Sequence, residues 1–171
     1  MHAHNAAAYL ERSLPIVLAQ EYPSFEVLVV VDCCTDRTFE RLEQMEVRWP
    51  SLRHITIPTS AWHPNRQHLA VALGAKAAAY EWVLVLPPEY APAGTEWLAS
   101  MAAAITPQAT LVAGYHNIEV AESTAERFVT AFEQWCTLPF RHTAAPYCNL
   151  LMRREQLLQV TPHKAISRVL H

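Results

Sequence analysis

Residues 25–31, Phe-Glu-Val-Leu-Val-Val-Val, narrow the fold more than any other stretch of this chain. A strand with one wet face alternates polar and apolar side chains. A continuous β-branched run instead marks a strand covered on both faces, as in parallel sheets sandwiched by helices. A second such run, Trp82-Val83-Leu84-Val85-Leu86, leads us to expect two adjacent buried strands in one sheet.

The intervening segments carry helical spacing. Leu10, Leu14, Val17 and Leu18 recur on one face of residues 6–20, with Asn5 as the expected N-cap and Pro23 as the stop. A turn over residues 33–37, capped by Thr35 or Asp36, opens a helix that runs through Arg48. Residues 53–58 alternate Ile55 and Ile57 as a short strand. Residues 65–80 are Ala-rich and helical, residues 95–105 form a further helix and residues 110–114 a further strand. Ser123-Thr124-Ala125-Glu126 reads as a capping box for a helix reaching about Cys136. Strands alternating with helices of this length predict an α/β domain with a mainly parallel sheet between two helical layers.

At 171 residues, one domain covers residues 1–171. An apolar fraction of 51% with 17% charged residues fits an ordinary globular core. A net charge of −3 and no basic run exclude a sequence-independent nucleic-acid footprint. The three glycines, Gly74, Gly94 and Gly114, leave no P-loop and no Gly-x-Gly-x-x-Gly. No stretch reaches the ~20 apolar residues of a membrane helix, and residues 1–5 lack the pattern of a signal peptide. Cys33, Cys34, Cys136 and Cys148 form no Cys-x-x-Cys, so reduced thiols in a cytoplasmic setting are expected.

Ligands of such sheets sit at the carboxyl ends of the strands. Three turns therefore matter: residues 32–36, 58–66 and 87–92, all expected on one edge. Asp32 can accept hydrogen bonds from a nucleotide's hydroxyl or N–H groups, or simply cap its turn. Asp36 reads as a helix cap. Arg66 can match phosphate oxygens with its fork, or lie solvated in a loop. Glu89 is the one oxygen donor in its Pro87-Pro88-Glu89 turn, and a lone carboxylate holds Mg²⁺ or Mn²⁺ poorly. The nine histidines, His2, His4, His63 and His68 among them, show no zinc spacing and read as scattered surface residues. Trp62, in a ligand-edge loop, is a candidate stacking platform.

The ordered motifs resemble those of family-2-type glycosyltransferases, which have the GT-A fold. Asn5-Ala6-Ala7-Ala8-Tyr9-Leu10 followed by Gln20-Glu21-Tyr22-Pro23-Ser24-Phe25-Glu26-Val27 is similar to the family's opening. Val31-Asp32-Cys33-Cys34-Thr35-Asp36-Arg37-Thr38 stands where the family commonly has Asp-Asp-x-Ser-Thr-Asp-x-Thr. Residues 69–84 match its helix-then-strand passage, and Cys148-Asn149-Leu150-Leu151-Met152-Arg153-Arg154 its passage near the acceptor. The resemblance covers residues 5–155. It implies transfer of a sugar from a nucleotide-diphosphate donor to a glycan or lipid-linked acceptor, as in cell-envelope polysaccharide synthesis. It also implies donor contacts at Asn5, Asp32, Arg66 and Glu89 and a divalent cation, Mn²⁺ or Mg²⁺. The implied setting is cytoplasmic, at the inner face of the membrane, with peripheral attachment through regions outside this chain.

Three departures stand out. Val31 replaces the first acidic residue of the nucleotide pair, leaving Asp32. Pro87-Pro88-Glu89 replaces the Asp-x-Asp metal turn. The acidic catalytic-base motif has no counterpart up to His171, so no catalytic residue is assigned. The resemblance further implies that the family's first strand is missing and that the domain is shortened at both ends. The alternative that these departures favour is a non-catalytic relative acting as a binding or scaffold module.

Overall fold

A computed structural model describes residues 1–59, 61, 65–114 and 149–160. The elements are β1 (His2–Ala3), α1 (Ala7–Leu18), β2 (Val27–Asp32), α2 (Thr38–Arg48), β3 (Leu52–Ile57), α3 (Arg66–Ala77), β4 (Trp82–Val85), α4 (Trp97–Ala103), β5 (Leu111–Ala113), β6 (Leu150–Arg153) and α5 (Arg154–Val160). The capping box at Ser123, with Cys136, Cys148, Trp62 and His63, lies outside the described residues.

The valine run behaves as its composition dictates. β2 is the middle strand of a parallel sheet, β1-β2-β3, with Val29, Val30 and Val31 each no more than 3% exposed. α1 and α2 cover one face. Leu10, Leu14 and Leu42, all fully buried, pack with Val29 and Val31, each such side chain contributing about 1.5–3 kcal/mol of apolar burial. α3 covers the other face, where Leu69, Ala70 and Leu73 meet Val30 and Ile57. The helix lies close: a Cβ on Gly74 would stand 3.2 Å from the Val30 Cγ2.

Four expectations are revised. The expected absence of a first strand does not hold, since His2 and Ala3 pair in parallel register with Val30 and Val31. β4 is not a neighbour of β2: it pairs antiparallel with β6, which in turn pairs antiparallel with β5. Its residues are all half-buried rather than buried. An apolar run specifies burial but not the partner strand, which here comes from more than sixty residues downstream. The second sheet of this α/β domain is therefore antiparallel. Finally, Asn5 does not cap α1. Ala6 holds that position without a side-chain bond, and α1 accommodates Pro15 at the cost of one backbone bond.

A polar clasp ties α1 to the segment before α4. The buried Gln20 donates from Nε2 to the carbonyls of Ile16 and Gly94, and its Oε1 accepts from Leu98 N–H at 2.9 Å. Asn149, buried and at φ 50°, turns the chain into β6 and packs so tightly on Gly114 that any Cβ there would clash.

Candidate functional site

The carboxyl end of β2 carries the densest polar network of the described chain. Asp32 is 3% exposed, and a buried carboxylate demands hydrogen-bonded partners. Arg66, the first residue of α3, supplies most of them. Its Nε donates to both Asp32 oxygens at 3.1 Å and its Nη2 donates to Oδ1, while Nη1 donates to the Ala61 carbonyl. His2 Nε2 donates to Asp32 Oδ2 at 3.2 Å, and His4 Nδ1 donates to the Asp32 backbone carbonyl at 2.7 Å.

Burial by itself would raise the Asp32 pKa; hydrogen bonds from Arg66 and His2 and the guanidinium charge outweigh it and hold the carboxyl below its ordinary value. Arg66 is raised in return by Asp32. Burial is also the largest influence on His2, lowering its pKa against the pull of Asp32. The result is an ionised carboxylate in a fixed orientation beside an imidazole that favours its neutral form.

The turn after β2 is equally well held. Cys33 adopts φ 47°, a conformation rare outside glycine and asparagine. The Asn5 side-chain oxygen accepts from Thr35 N–H at 2.7 Å and from Asp36 N–H at 3.3 Å, fastening the turn to the start of α1. Asp36 completes the clasp. Its Oδ1 accepts from Thr38 N–H at 3.0 Å and its Oδ2 from Ala7 N–H at 3.1 Å. Arg37, not Asp36, holds the N-cap position of α2, without a side-chain bond; Asp36, one residue earlier, instead joins the first turns of α1 and α2, and Asn5 fastens the loop.

The expected sites separate into groups. Asp32 and Arg66 are in direct contact. Asn5 lies on the neighbouring loop between β1 and α1, where its side-chain oxygen accepts from the turn after β2. Glu89 is exposed and reaches the neighbourhood only through a cavity of about 100 Å³ that it shares with His2, Gln67, Pro87 and Pro88. Two of the three turns approach His2: Asp32 bonds it, and Pro87, Pro88 and Glu89 share the small cavity with it. Of the histidines that the sequence reading assigned to the surface, His4 is exposed as expected and His2 is half-buried; both hydrogen-bond Asp32. The available signal was their place at the end of a strand in register with Val30, which becomes legible only once β1 is paired with β2.

A divalent cation does not fit this donor set by itself. Hard cations need several oxygens, Pro87 and Pro88 offer no side-chain donor, and Glu89 stands without a second carboxylate. Among the described residues no three His, Cys, Asp or Glu side chains cluster as metal ligands.

A parallel sheet flanked by helices, with a polar site at the strand ends, defines an α/β domain of GT-A type, and solved structures agree. The chain is similar to S. aureus TarS 1-349 in complex with UDP-GlcNAc, at TM-score 0.61 and 21% identity over 92% of this chain and 45% of that one. It is also similar to the mannosyltransferase PcManGT from Pyrobaculum calidifontis in complex with GDP-Man and Mn²⁺, at TM-score 0.60 and 21% identity over 68% and 34%. A third likeness is to glucosyl-3-phosphoglycerate synthase from Mycobacterium tuberculosis in complex with UDP, at TM-score 0.55 and 15% identity over 90% and 55%. The match spans about a third to a half of each of those chains. No curated protein matches the sequence. The model of glycosyl transferase family 2 matches residues 1–157, and the chain belongs to that family.

Proposed function

We propose that this chain is the donor-binding part of a nucleotide-sugar-dependent glycosyltransferase, with Asp32 receiving the nucleoside of a nucleotide-diphosphate sugar. The carrying observation is the Asp32 carboxylate, buried, ionised and aimed by Arg66 and His2 at the sheet edge. Preorganised acceptors of this kind read ribose hydroxyls and base N–H groups, because their orientation costs nothing on binding. Arg66 serves Asp32 first. A phosphate reaching this edge would compete for its guanidinium rather than find it free.

The full reaction that fits the family is sugar transfer to a glycan or lipid-linked acceptor of the cell envelope, at the inner face of a membrane. Among the described residues no helix is long and apolar enough to cross a membrane, so attachment there would be peripheral. The neighbours' printed ligands, UDP-GlcNAc, GDP-Man with Mn²⁺ and UDP, support a nucleotide diphosphate as the donor class.

A second reading, a binding module without turnover, rests on the Pro87-Pro88-Glu89 turn, which lacks the paired carboxylates that would steady a leaving diphosphate. Calorimetric titration with UDP-GlcNAc and GDP-mannose, each with and without Mn²⁺, separates the two. We expect weak binding, nearly independent of Mn²⁺ and weakened about tenfold or more in Asp32→Asn, with no measurable transfer by this chain. Tight Mn²⁺-dependent binding, or turnover abolished by Glu89→Ala, would establish the turn as a working metal site. Binding unaffected by Asp32→Asn would overturn the site assignment.

A further inference from the structure

β3 is an outer strand of the parallel sheet β1-β2-β3, and its pairing with β2 fixes which backbone groups turn outward. Val27 N–H donates to Ser51 O at 2.8 Å, with Val27 in register with Leu52. Alternate residues of a strand turn their backbone groups to the same side. Arg53, Ile55 and Ile57 therefore bond β2, whereas Leu52, His54 and Thr56 face away from it. The Leu52 N–H is taken by Trp49 O at 2.9 Å. Among the described residues nothing meets the backbone N–H and C=O of His54 or Thr56.

Sheet edges are ordinarily guarded by free charges, bulges or proline, because a bare row of backbone groups is a template for another strand. Along β3 those guards are withdrawn. The register runs without a bulge from Leu52 to Ile57. His54 Nδ1 donates to Glu46 Oε1 at 2.7 Å, and Arg53 Nε donates to Glu26 Oε2 at 2.7 Å. Both basic side chains of the strand are thus drawn to carboxylates of their own chain. Apolar surface flanks the row instead. Phe39 of α2, 41% exposed, stands edge-on to the His54 ring at 4.9 Å. Ile55, on the opposite face with α3, is half-buried.

This row matches itself. Its outward N–H groups are those of His54 and Thr56, because Leu52 N–H is taken and Pro58 has none. A second copy laid antiparallel about a two-fold axis at Ile55 sets each His54 opposite Thr56 of the other copy. Each such pair exchanges both N–H···O bonds, so every outward amide of both copies finds a carbonyl. The two Ile55 side chains meet on the axis, and Phe39 of each copy flanks it on the other face. Other registers fail. Centring on His54 sets imidazole against imidazole, and centring on Thr56 sets His54 opposite Pro58, which has no N–H to return.

We propose that the outer edge of β3 is a homodimer interface, in which a second copy of this chain pairs antiparallel through His54 and Thr56 about Ile55. The mode is β-augmentation, and it makes the parallel sheets of the two copies continuous. Because β2 and β3 are parallel, the two-fold axis sends the two Asp32 ends to opposite ends of the joined sheet and leaves both open. The dimer does not depend on the nucleotide reading of Asp32.

Sedimentation equilibrium of the full 171-residue chain under reducing conditions reads the association. We expect a reversible dimer. Amide hydrogen exchange at His54 and Thr56 should slow about tenfold or more as concentration rises, with Arg53 and Ile55 little changed. Thr56→Pro removes an outward N–H without touching the bonds to β2, and should weaken the dimer about tenfold or more. Should that variant not fold, exchange in the unchanged chain decides. Under mild oxidation, Ile55→Cys should link the copies through residue 55, since the two stand as a close non-hydrogen-bonded pair. Thr56→Cys should give no link through residue 56, as peptide mapping by mass spectrometry would show. A monomer at every concentration, a dimer untouched by Thr56→Pro, or a link through residue 56 in place of 55 overturns the proposal. Exchange at His54 and Thr56 that is slow at every concentration would mean that another part of this chain covers the edge. Protection that appears only on adding the peptide Lys-Lys-Thr-Ile-Thr-Ile-Thr would make a foreign strand the occupant. Either result overturns it as well.

Discussion

The parallel half of this domain and its antiparallel half treat the same kind of residue differently. In β1-β2-β3 the valines are sealed and the loop that follows is clasped by Asn5, Asp36, His2, His4 and Arg66. In β4-β6-β5 every β4 residue is half-buried, and the turn that follows ends in an exposed Glu89 after two prolines. A ligand end built from many mutually satisfied groups is rigid before the ligand arrives. A turn with one exposed carboxylate is not. The difference locates preorganisation at the Asp32 end of the edge and withholds it from the Glu89 end.

The largest test of this contrast is a buried charge in each half. Val29→Asp places an unpaired carboxylate at a fully buried position, and should cost about 3–5 kcal/mol. Val83→Asp in half-buried β4 should cost about 1–2 kcal/mol. Urea denaturation reads both, and equal costs would erase the distinction between the sheets.

Next in size is the response to pH, which resides in the parallel half. The Met1 ammonium falls from 8.0 to about 6 on folding, and His2 is lowered as well. Between pH 6 and 8 the unfolded chain therefore binds more protons, so stability rises with pH through that window, by at most about 2–3 kcal/mol for the ammonium. The carboxyls of Asp32 and Glu26 are shifted below their ordinary values. Their contribution is present above about pH 4 and is lost as pH falls through their folded values. Melting temperatures across pH 3–8 should show two descending steps toward acid; a flat profile from 6 to 8 would contradict the buried ammonium.

On binding, Asp32→Asn should weaken a nucleotide diphosphate by about tenfold or more, the worth of hydrogen bonds to a charged acceptor. Glu89→Ala should change it less than about twofold, as an exposed group with no fixed partner contributes little. Comparable losses would mean that the two ends of the edge are equally engaged.

The smallest effect concerns the loop clasp. Asn5→Gly preserves the φ of 50° while removing the acceptor shared by Thr35 and Asp36, and should cost about 1 kcal/mol. Asn5→Ala should cost more, since alanine adds strain at positive φ. If glycine proves as costly as alanine, the backbone conformation is not what Asn5 provides.

Much of this was legible in residue order. Helical spacing placed α1, α2 and α3, the unbroken valines placed β2, and the order of motifs from Asn5 to Arg154 led to the family. Asp32 and Arg66 were legible as candidates because a carboxylate at the end of a buried strand and an arginine at the start of a helix stand at ligand edges. The rest was hidden for a physical reason: it consists of contacts between residues far apart in sequence. His2 looked like a surface histidine because nothing local distinguishes it, and the bond from the exposed His4 to the Asp32 carbonyl was equally hidden. β4 looked like a neighbour of β2 because burial is a property of composition, whereas pairing is a property of where the chain returns.

What the sequence determined by itself is therefore the run of elements from α1 to β5 and the family, since hydrophobic period and local capping act within a few residues. What only the tertiary structure decided is which groups meet. Asp32 is an aimed anion because β1 brings His2 beside it and α3 brings Arg66 across thirty-four positions. The second sheet is antiparallel because β6 returns to β4. Hydrogen bonds and ion pairs fall off within ångströms, so their partners are set by the fold rather than by the order of the residues.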